Sequence, residues 1–488
     1  MKQHRLKIIV LLLLMGAAFG LVCTGSTPGT DKPATHTLDA ENVHPRLVPR
    51  DCWFKIPAGA NVSCGYVGVP EDRSQPSTAE NTIQLAVAVF HSTASQPEPD
   101  PVFLLAGGPG QGAIEAVVQY FDAFTRLLKV RDLVAFDQRG TGYSLPSLNC
   151  VEDNPRACHD RLTRAGIRLA AYTTRENAAD VDDLRRALGR TRINLLGGSY
   201  GTRLGLTVMQ HYSSAVRSAI LDSVAPPQLD LGPELVRSKA RGLRVLFAGC
   251  SAHSECRASY PELETTLYDL VRQLDRQPLF FEVDGTPIIL SGRDFIRLIF
   301  LSMYSAEALP HLPKLVYDTR EGDFKTLHGF IRRVLLRPDY ISEGMMFSVE
   351  CAEDVAFETP AEFAAAASEL AAPIREHIAT DDLYFYGICE FWGVPPAPAR
   401  VKSPVASDIP ALLLAGKYDP LTPVGWAELA AETLPRSYIY EIPDAAHAVF
   451  ITSECAQSLM AQFLDDPMVA PDAACIDMLG SPDFIVEP

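Results

Sequence analysis

The strand-like run Ile193–Leu196 leads straight into Gly197-Gly198-Ser199-Tyr200-Gly201, and Thr202–Tyr212 follows with helical spacing. No other feature constrains this chain as strongly. A strand that turns through glycines into a helix needs a crossover back to its sheet, which means parallel strands with helices on their faces. Two earlier runs behave alike. Val102–Ala106 ends in Gly107-Gly108-Pro109-Gly110, and Asp132–Phe136 ends in Asp137-Gln138-Arg139-Gly140-Thr141-Gly142. Short apolar runs bounded by glycine suit buried parallel strands. Between them and the serine, Asn177–Leu188 reads as a helix with Ala178, Val181, Leu184 and Leu188 on one face. Ala219–Leu221 adds a strand, and the alternation of Ile83–Phe90 suggests antiparallel strands within residues 51–90.

The alternation breaks after Pro227. Residues 228–400 are mostly helical, as in Leu263–Leu274 and Arg293–Met303, with one hairpin around Asp284-Gly285. It resumes at Ala411–Ala415 and Tyr438–Ile442, and Ser453–Phe463 closes as a helix. An insertion between two halves of one sheet predicts a cap over the strand ends. The 488 residues are thus expected to divide into a leader (1–23), a linker rich in Thr, Gly, Pro and Asp (24–50), a first sheet segment (51–226), the cap (227–400) and a closing sheet segment (401–488).

The leader carries Lys2, Arg5 and Lys7, then the apolar run Ile8–Val22, then Cys23. A basic start followed by a short apolar stretch and small residues matches a secretory signal, and it is shorter than the ~20 residues of a membrane span. Cys23 also suggests a lipoprotein cysteine, so any membrane attachment is expected through a lipid there. Of eleven cysteines, ten remain beyond Cys23, and an even number after such a leader argues for disulfides. The simplest pairing joins neighbours: Cys52 with Cys64, Cys150 with Cys158, Cys250 with Cys256, Cys351 with Cys389, and Cys455 with Cys475. No CxxC pair is present, which speaks against zinc. The net charge of −17 makes phosphate backbones poor partners, so nucleic-acid binding is not expected.

In G-x-S-x-G the serine needs a sharp turn to project its hydroxyl from the sheet, and the flanking glycines relieve crowding there. A serine also needs a base, because its alkoxide is unavailable at neutral pH. His447 lies in the loop after Tyr438–Ile442, where that base belongs in the order serine, acid, histidine. Asp419 follows Ala411–Ala415 and is the expected acid, with Asp222 the alternative; Asp444 is read as shaping the loop. The oxyanion of an acyl-transfer intermediate needs amide donors, expected from Tyr200 and from Gly108, since Pro109 has no N–H.

Together these residues resemble the serine peptidases of the α/β-hydrolase fold in the prolyl iminopeptidase family, above all its secreted tripeptidyl aminopeptidases. The resemblance spans roughly residues 51–480. It rests on Gly107-Gly108-Pro109-Gly110, Asp137–Gly142, Gly198-Ser199-Tyr200-Gly201-Thr202-Arg203 and Asp419-Pro420-Leu421-Thr422-Pro423. It implies an α/β-hydrolase fold with a helical cap, no metal or cofactor, and Ser199, Asp419 and His447 as the triad. One departure is Ala106, where prolyl iminopeptidases carry His, which argues against a strict member of that subgroup.

An aminopeptidase must bind a free α-ammonium, and a buried carboxylate does this well. Glu353, with Asp354 or Glu390, is the expected anchor in the cap segment beside Cys351. The expected protein is a secreted, periplasmic or cell-envelope monomer that releases short peptides or single residues from peptide N-termini. The rival readings are a carboxylesterase or lipase using the same triad, and a non-catalytic binding module on a hydrolase scaffold.

Overall fold

A computed structural model describes residues 45–486 apart from residue 153 and residues 336–340. The leader, Cys23 and most of the expected linker lie outside the described residues. Among the described residues, eleven strands form two sheets. They are β1 (Leu47–Arg50), β2 (Val62–Pro70), β3 (Thr82–Phe90), β4 (Val102–Leu105), β5 (Leu133–Phe136), β6 (Ile193–Gly198), β7 (Val216–Asp222), β8 (Leu279–Val283), β9 (Thr286–Leu290), β10 (Ala411–Gly416) and β11 (Ser437–Ile442). The main sheet has the order β1-β2-β3-β5-β4-β6-β7-β10-β11. Its first three strands and the β3–β5 contact are antiparallel, and all pairs from β5 to β11 are parallel.

The continuous apolar character of the central strands follows from burial on both faces. Alternate residues face opposite ways along a strand. Val102 and Leu104 of β4, with Leu412 and Leu414 of β10, join the core on one face. Phe103 and Leu105, with Ala411 and Leu413, join the core on the other. The sheet is α/β-hydrolase in topology, as expected.

One boundary needs correction. Leu47–Arg50, read as the end of a linker, is an edge strand with Leu47 opposite Val67 and Arg50 opposite Cys64. Three of its four residues are exposed, so no apolar pattern announces it. Pro49 is tolerated because an edge strand leaves one row of backbone groups unpaired.

Between Asp222 and Ala411 the chain builds helices and the β8–β9 hairpin, whose turn holds Asp284 and Gly285 at positive φ. This insertion has its own apolar core, centred on helices Leu231–Ala252, Leu263–Arg276 and Gly292–Met303. The five cysteine pairs form as expected: Cys52–Cys64, Cys150–Cys158, Cys250–Cys256, Cys351–Cys389 and Cys455–Cys475. The fourth ties helix Glu343–Glu353 to helix Ala372–Trp392 within the insertion.

Candidate active site

Ser199 stands between β6 and helix Tyr200–His211 with φ 56° and ψ −124°. A non-glycine residue at such a φ costs about 1–3 kcal/mol and persists only where its surroundings impose it. Here they do. A Cβ at Gly197 would collide with the Gly201 carbonyl oxygen, and one at Gly201 with the Leu105 carbonyl oxygen. The glycines let β6, its helix and β4 meet, and the serine is left at the apex.

His447 and Asp419 come from the loops after β11 and β10. His447 Nδ1 lies 2.8 Å from Asp419 Oδ2. Asp419 is fully buried and also accepts the Leu421 and Thr422 N–H groups at 2.8 and 3.1 Å and the Thr422 hydroxyl at 2.6 Å. Burial alone would raise its carboxyl, but the charge and hydrogen bond of His447, with these donors, hold it below the usual carboxylate range. Burial likewise opposes an imidazolium at His447. Asp419 foremost, then Asp222, overcomes this and lifts His447 above its ordinary value. The Tyr304 ring of the cap meets the His447 ring edge-on at 5.5 Å.

Ser199 and His447 line one cavity of about 770 Å³, together with Gly107, Gly108, Tyr200 and cap residues that include Phe300 and Tyr304. The Gly107 loop runs close against the serine: a Cβ at Gly107 would stand 3.1 Å from Ser199 Cβ and 3.0 Å from the Gly198 oxygen. The peptide after Gly107 carries the N–H of Gly108, so this loop can bring an amide to the reacting carbonyl alongside that of Tyr200. The loop is braced from below. Gln138 Nε2 donates to the Ala106 oxygen at 2.9 Å, and Asp137 accepts the N–H groups of Ile114 and Tyr143. Arg139 is buried on Asp180 and on the carbonyls of Glu71 and Ala171. The Asp137–Gly142 motif therefore supports the site without entering it.

Of the expected amine anchors, Asp354 lines the cavity, and Glu353 and Glu390 do not. Glu353 is buried, with Oε1 accepting the Thr174 N–H at 2.7 Å and Oε2 the Thr174 hydroxyl at 2.6 Å. Thr174 also contacts the Tyr200 hydroxyl at 2.9 Å. Both carboxylate oxygens thus bind the start of helix Thr174–Ala187, and Glu353 holds the residue after the nucleophile in place. Asp354 lines the cavity but pairs with Arg203 at 2.7 Å and Lys402 at 3.1 Å. Glu390 is exposed and is not among the cavity's lining residues. The cap acids that do line it with Asp354 are Glu307, Glu350 and Glu358. Spacing along the helix does not separate these acids, since Glu353 and Asp354 are three and four residues from Glu350; the contact with Thr174 is what turns Glu353 to its own task.

Asp222, the alternative acid, gives its carboxylate to backbone amides of residues 449 and 450. The imidazole's carboxylate is Asp419.

A serine at a strand-to-helix apex, with a histidine held on a buried aspartate beside the same cavity, defines a serine hydrolase of the α/β-hydrolase class. Residues 100–273 match the family model of the alpha/beta hydrolase fold, and residues 378–475 match that of TAP-like proteins. Serine protease Hip1 of Mycobacterium tuberculosis is 27% identical over 419 residues, covering 76% of this chain and 78% of that one. The tripeptidyl aminopeptidase of Streptomyces lividans is 31% identical over 198 residues, 35% of this chain and 36% of that one. The proline iminopeptidase of Xylella fastidiosa is 31% identical over 136 residues, 28% of this chain and 36% of that one. The two matched models place the chain among the α/β hydrolases, with a TAP-like C-terminal part.

Proposed function

We propose that this chain is a secreted or cell-envelope serine exopeptidase that releases short peptides or single residues from peptide N-termini. The observation that carries the reading is the cavity itself: Ser199 and His447 open into a space whose cap wall includes Glu350. A carboxylate on that wall can pair with a free α-ammonium and so set the chain end at a fixed distance from the serine. Glu350 takes the part first expected of Glu353. The five disulfides and the leader-like start support an oxidising compartment, with lipid at Cys23 as the means of any membrane attachment. The protein acts as a monomer in this reading.

The chemistry is acyl transfer. Ser199 Oγ attacks the scissile carbonyl and forms the C–O bond while His447 Nε2 takes its proton. The carbonyl's π electrons move to oxygen, which the Gly108 and Tyr200 amides receive. Asp419 holds the Nδ1–H tautomer and offsets the imidazolium charge. The C–N bond then breaks as His447 returns the proton to the leaving amine. Water, deprotonated by His447, releases the acyl group by the same steps.

The test compares a chromogenic tripeptide amide bearing a free N-terminus with its N-acetylated form, single-residue amides and a short-chain ester, using Ser199→Ala as control. Cleavage of the free-amine tripeptide at least about tenfold faster than the acetylated one is expected, as a charge-assisted hydrogen bond would give. Glu350→Gln should raise KM for the free amine alone. Indifference to acetylation with rapid ester turnover would make the protein an esterase.

A further inference from the structure

One buried dipeptide outside the triad touches all three segments that carry it. We propose that Asp222 and Ser223 are positioning residues, a clamp that fixes the His447 loop against the nucleophile turn and the acid strand. The proposal rests on the Ser199–His447–Asp419 reading above. The Asp222 carbonyl accepts the Ser199 N–H at 3.0 Å. The Asp222 carboxylate accepts the Val449 N–H on Oδ1 at 3.1 Å and the Phe450 N–H on Oδ2 at 2.6 Å. The Ser223 hydroxyl accepts the Ala448 N–H at 2.9 Å and donates to Asp222 Oδ1 at 2.9 Å. The Ser223 N–H bonds the Leu414 carbonyl at 2.8 Å, on the strand that leads to Asp419.

The backbone bears the mark of this arrangement. Among the described residues, five non-glycine residues have positive φ, and three belong to the clamp or its grip: Ser199 at 56°, Ser223 at 59° and Ala448 at 58°. Such conformations concentrate where surrounding contacts over-determine the chain. A helix cap would account for the amides of residues 449 and 450. It would not account for the bond to the nucleophile's own N–H or for the strained serine hooked to β10. The carboxylate offers acceptors only, and that is what two converging N–H groups and a hydroxyl require.

Asp222→Asn keeps the shape but sets one N–H donor against another whichever way the amide turns. Its kcat per competent serine, counted by end-point fluorophosphonate titration, should fall about 10²-fold, the scale of a misplacement near 1 Å, while KM stays within about twofold. Ser223→Ala loses the Ala448 bond and the donation to Asp222 Oδ1 but keeps the carboxylate on residues 449 and 450, and should lower kcat about tenfold. A merely structural role would lower the number of titratable serines and leave kcat per serine unchanged. An unchanged kcat per serine in Asp222→Asn, or a loss confined to KM, overturns the clamp. If Asp222→Asn fails to fold, an unchanged kcat in Ser223→Ala does the same. Full activity in Ser199→Ala would instead overturn the reading on which the clamp rests.

Discussion

Two buried carboxylates lie near His447, and replacing Asp419 by Asn distinguishes their roles. Asp419 Oδ1 accepts two backbone N–H groups, at 2.8 Å from Leu421 and 3.1 Å from Thr422. Those donors cannot turn away, so the asparagine oxygen must stay with them. Its Nδ2 then faces His447 Nδ1 and the Thr422 hydroxyl, both of which had pointed donors at Oδ2. An N–H aimed at Nδ1 makes that nitrogen an acceptor and moves the ring proton to Nε2. The ring then offers a proton, not a lone pair, to Ser199. This wrong-tautomer loss lowers kcat about 10⁴-fold in triads of this kind, or about 5 kcal/mol of transition-state stabilisation. Removing the anion also withdraws the main support for the raised imidazole value, so the acid limb of the kcat/KM profile shifts to lower pH. The assay is hydrolysis of the free-amine tripeptide amide across pH, with fluorophosphonate labelling rates in parallel. A loss under tenfold with an unmoved acid limb, or a smaller loss than in Asp222→Asn, would refute the assignment of the acid.

Wild-type kcat/KM should fall on acidification from above about pH 6.5, because the base must be neutral and its value is raised. The same shift acts on stability with the opposite sense. A histidine raised in the folded state contributes stability below its unfolded value and loses it as pH rises through the folded one, so the Tm gap between wild type and His447→Gln should narrow over that rise. Asp354→Asn should destabilise by about 3–5 kcal/mol in urea, because buried Arg203 and Lys402 both lose their counter-ion. Among the described residues, Arg203 Nε and Nη2 have no hydrogen-bond partner, and the neighbouring Glu353 carboxylate is already held by Thr174. A loss below about 1 kcal/mol would mean the network is hydrated and carries little.

The triad was legible because each member follows a strand whose apolar run ends abruptly. Ser199, Asp419 and His447 are placed by chain order and by strands that read clearly. The cysteine pairs were legible because every partner is the next cysteine along the chain, at separations of 6 to 38 residues. The cap acids were not. Which face of helix Glu343–Glu353 meets the cavity depends on its packing against helix Ala372–Trp392 and on Thr174, far away in sequence. The same holds for β1, which pairs with β2 at the sheet edge and sets only Leu47 against the core. Asp222 was visible as an acid at a strand end, but its hydrogen bonds go to amides more than 220 residues away.

Among the described residues, no disulfide joins the insertion to the sheet: Cys250–Cys256 and Cys351–Cys389 close within it, and the other three close within the sheet segments. The helical part of the insertion has an apolar core of its own, but a second core is shared, with Leu148, Leu162 and Tyr172 of the sheet segment packed among Met345, Phe347 and Trp392 of the insertion. Change in helix Leu263–Arg276 or Gly292–Met303 is therefore absorbed within the insertion, whereas change around helix Glu343–Glu353 is felt by both parts. The outer helices can drift and reshape the cavity wall, while a foreign insertion would have to bring its own partners for Ala448, Thr174 and Arg203, which Ser223, Glu353 and Asp354 now hold.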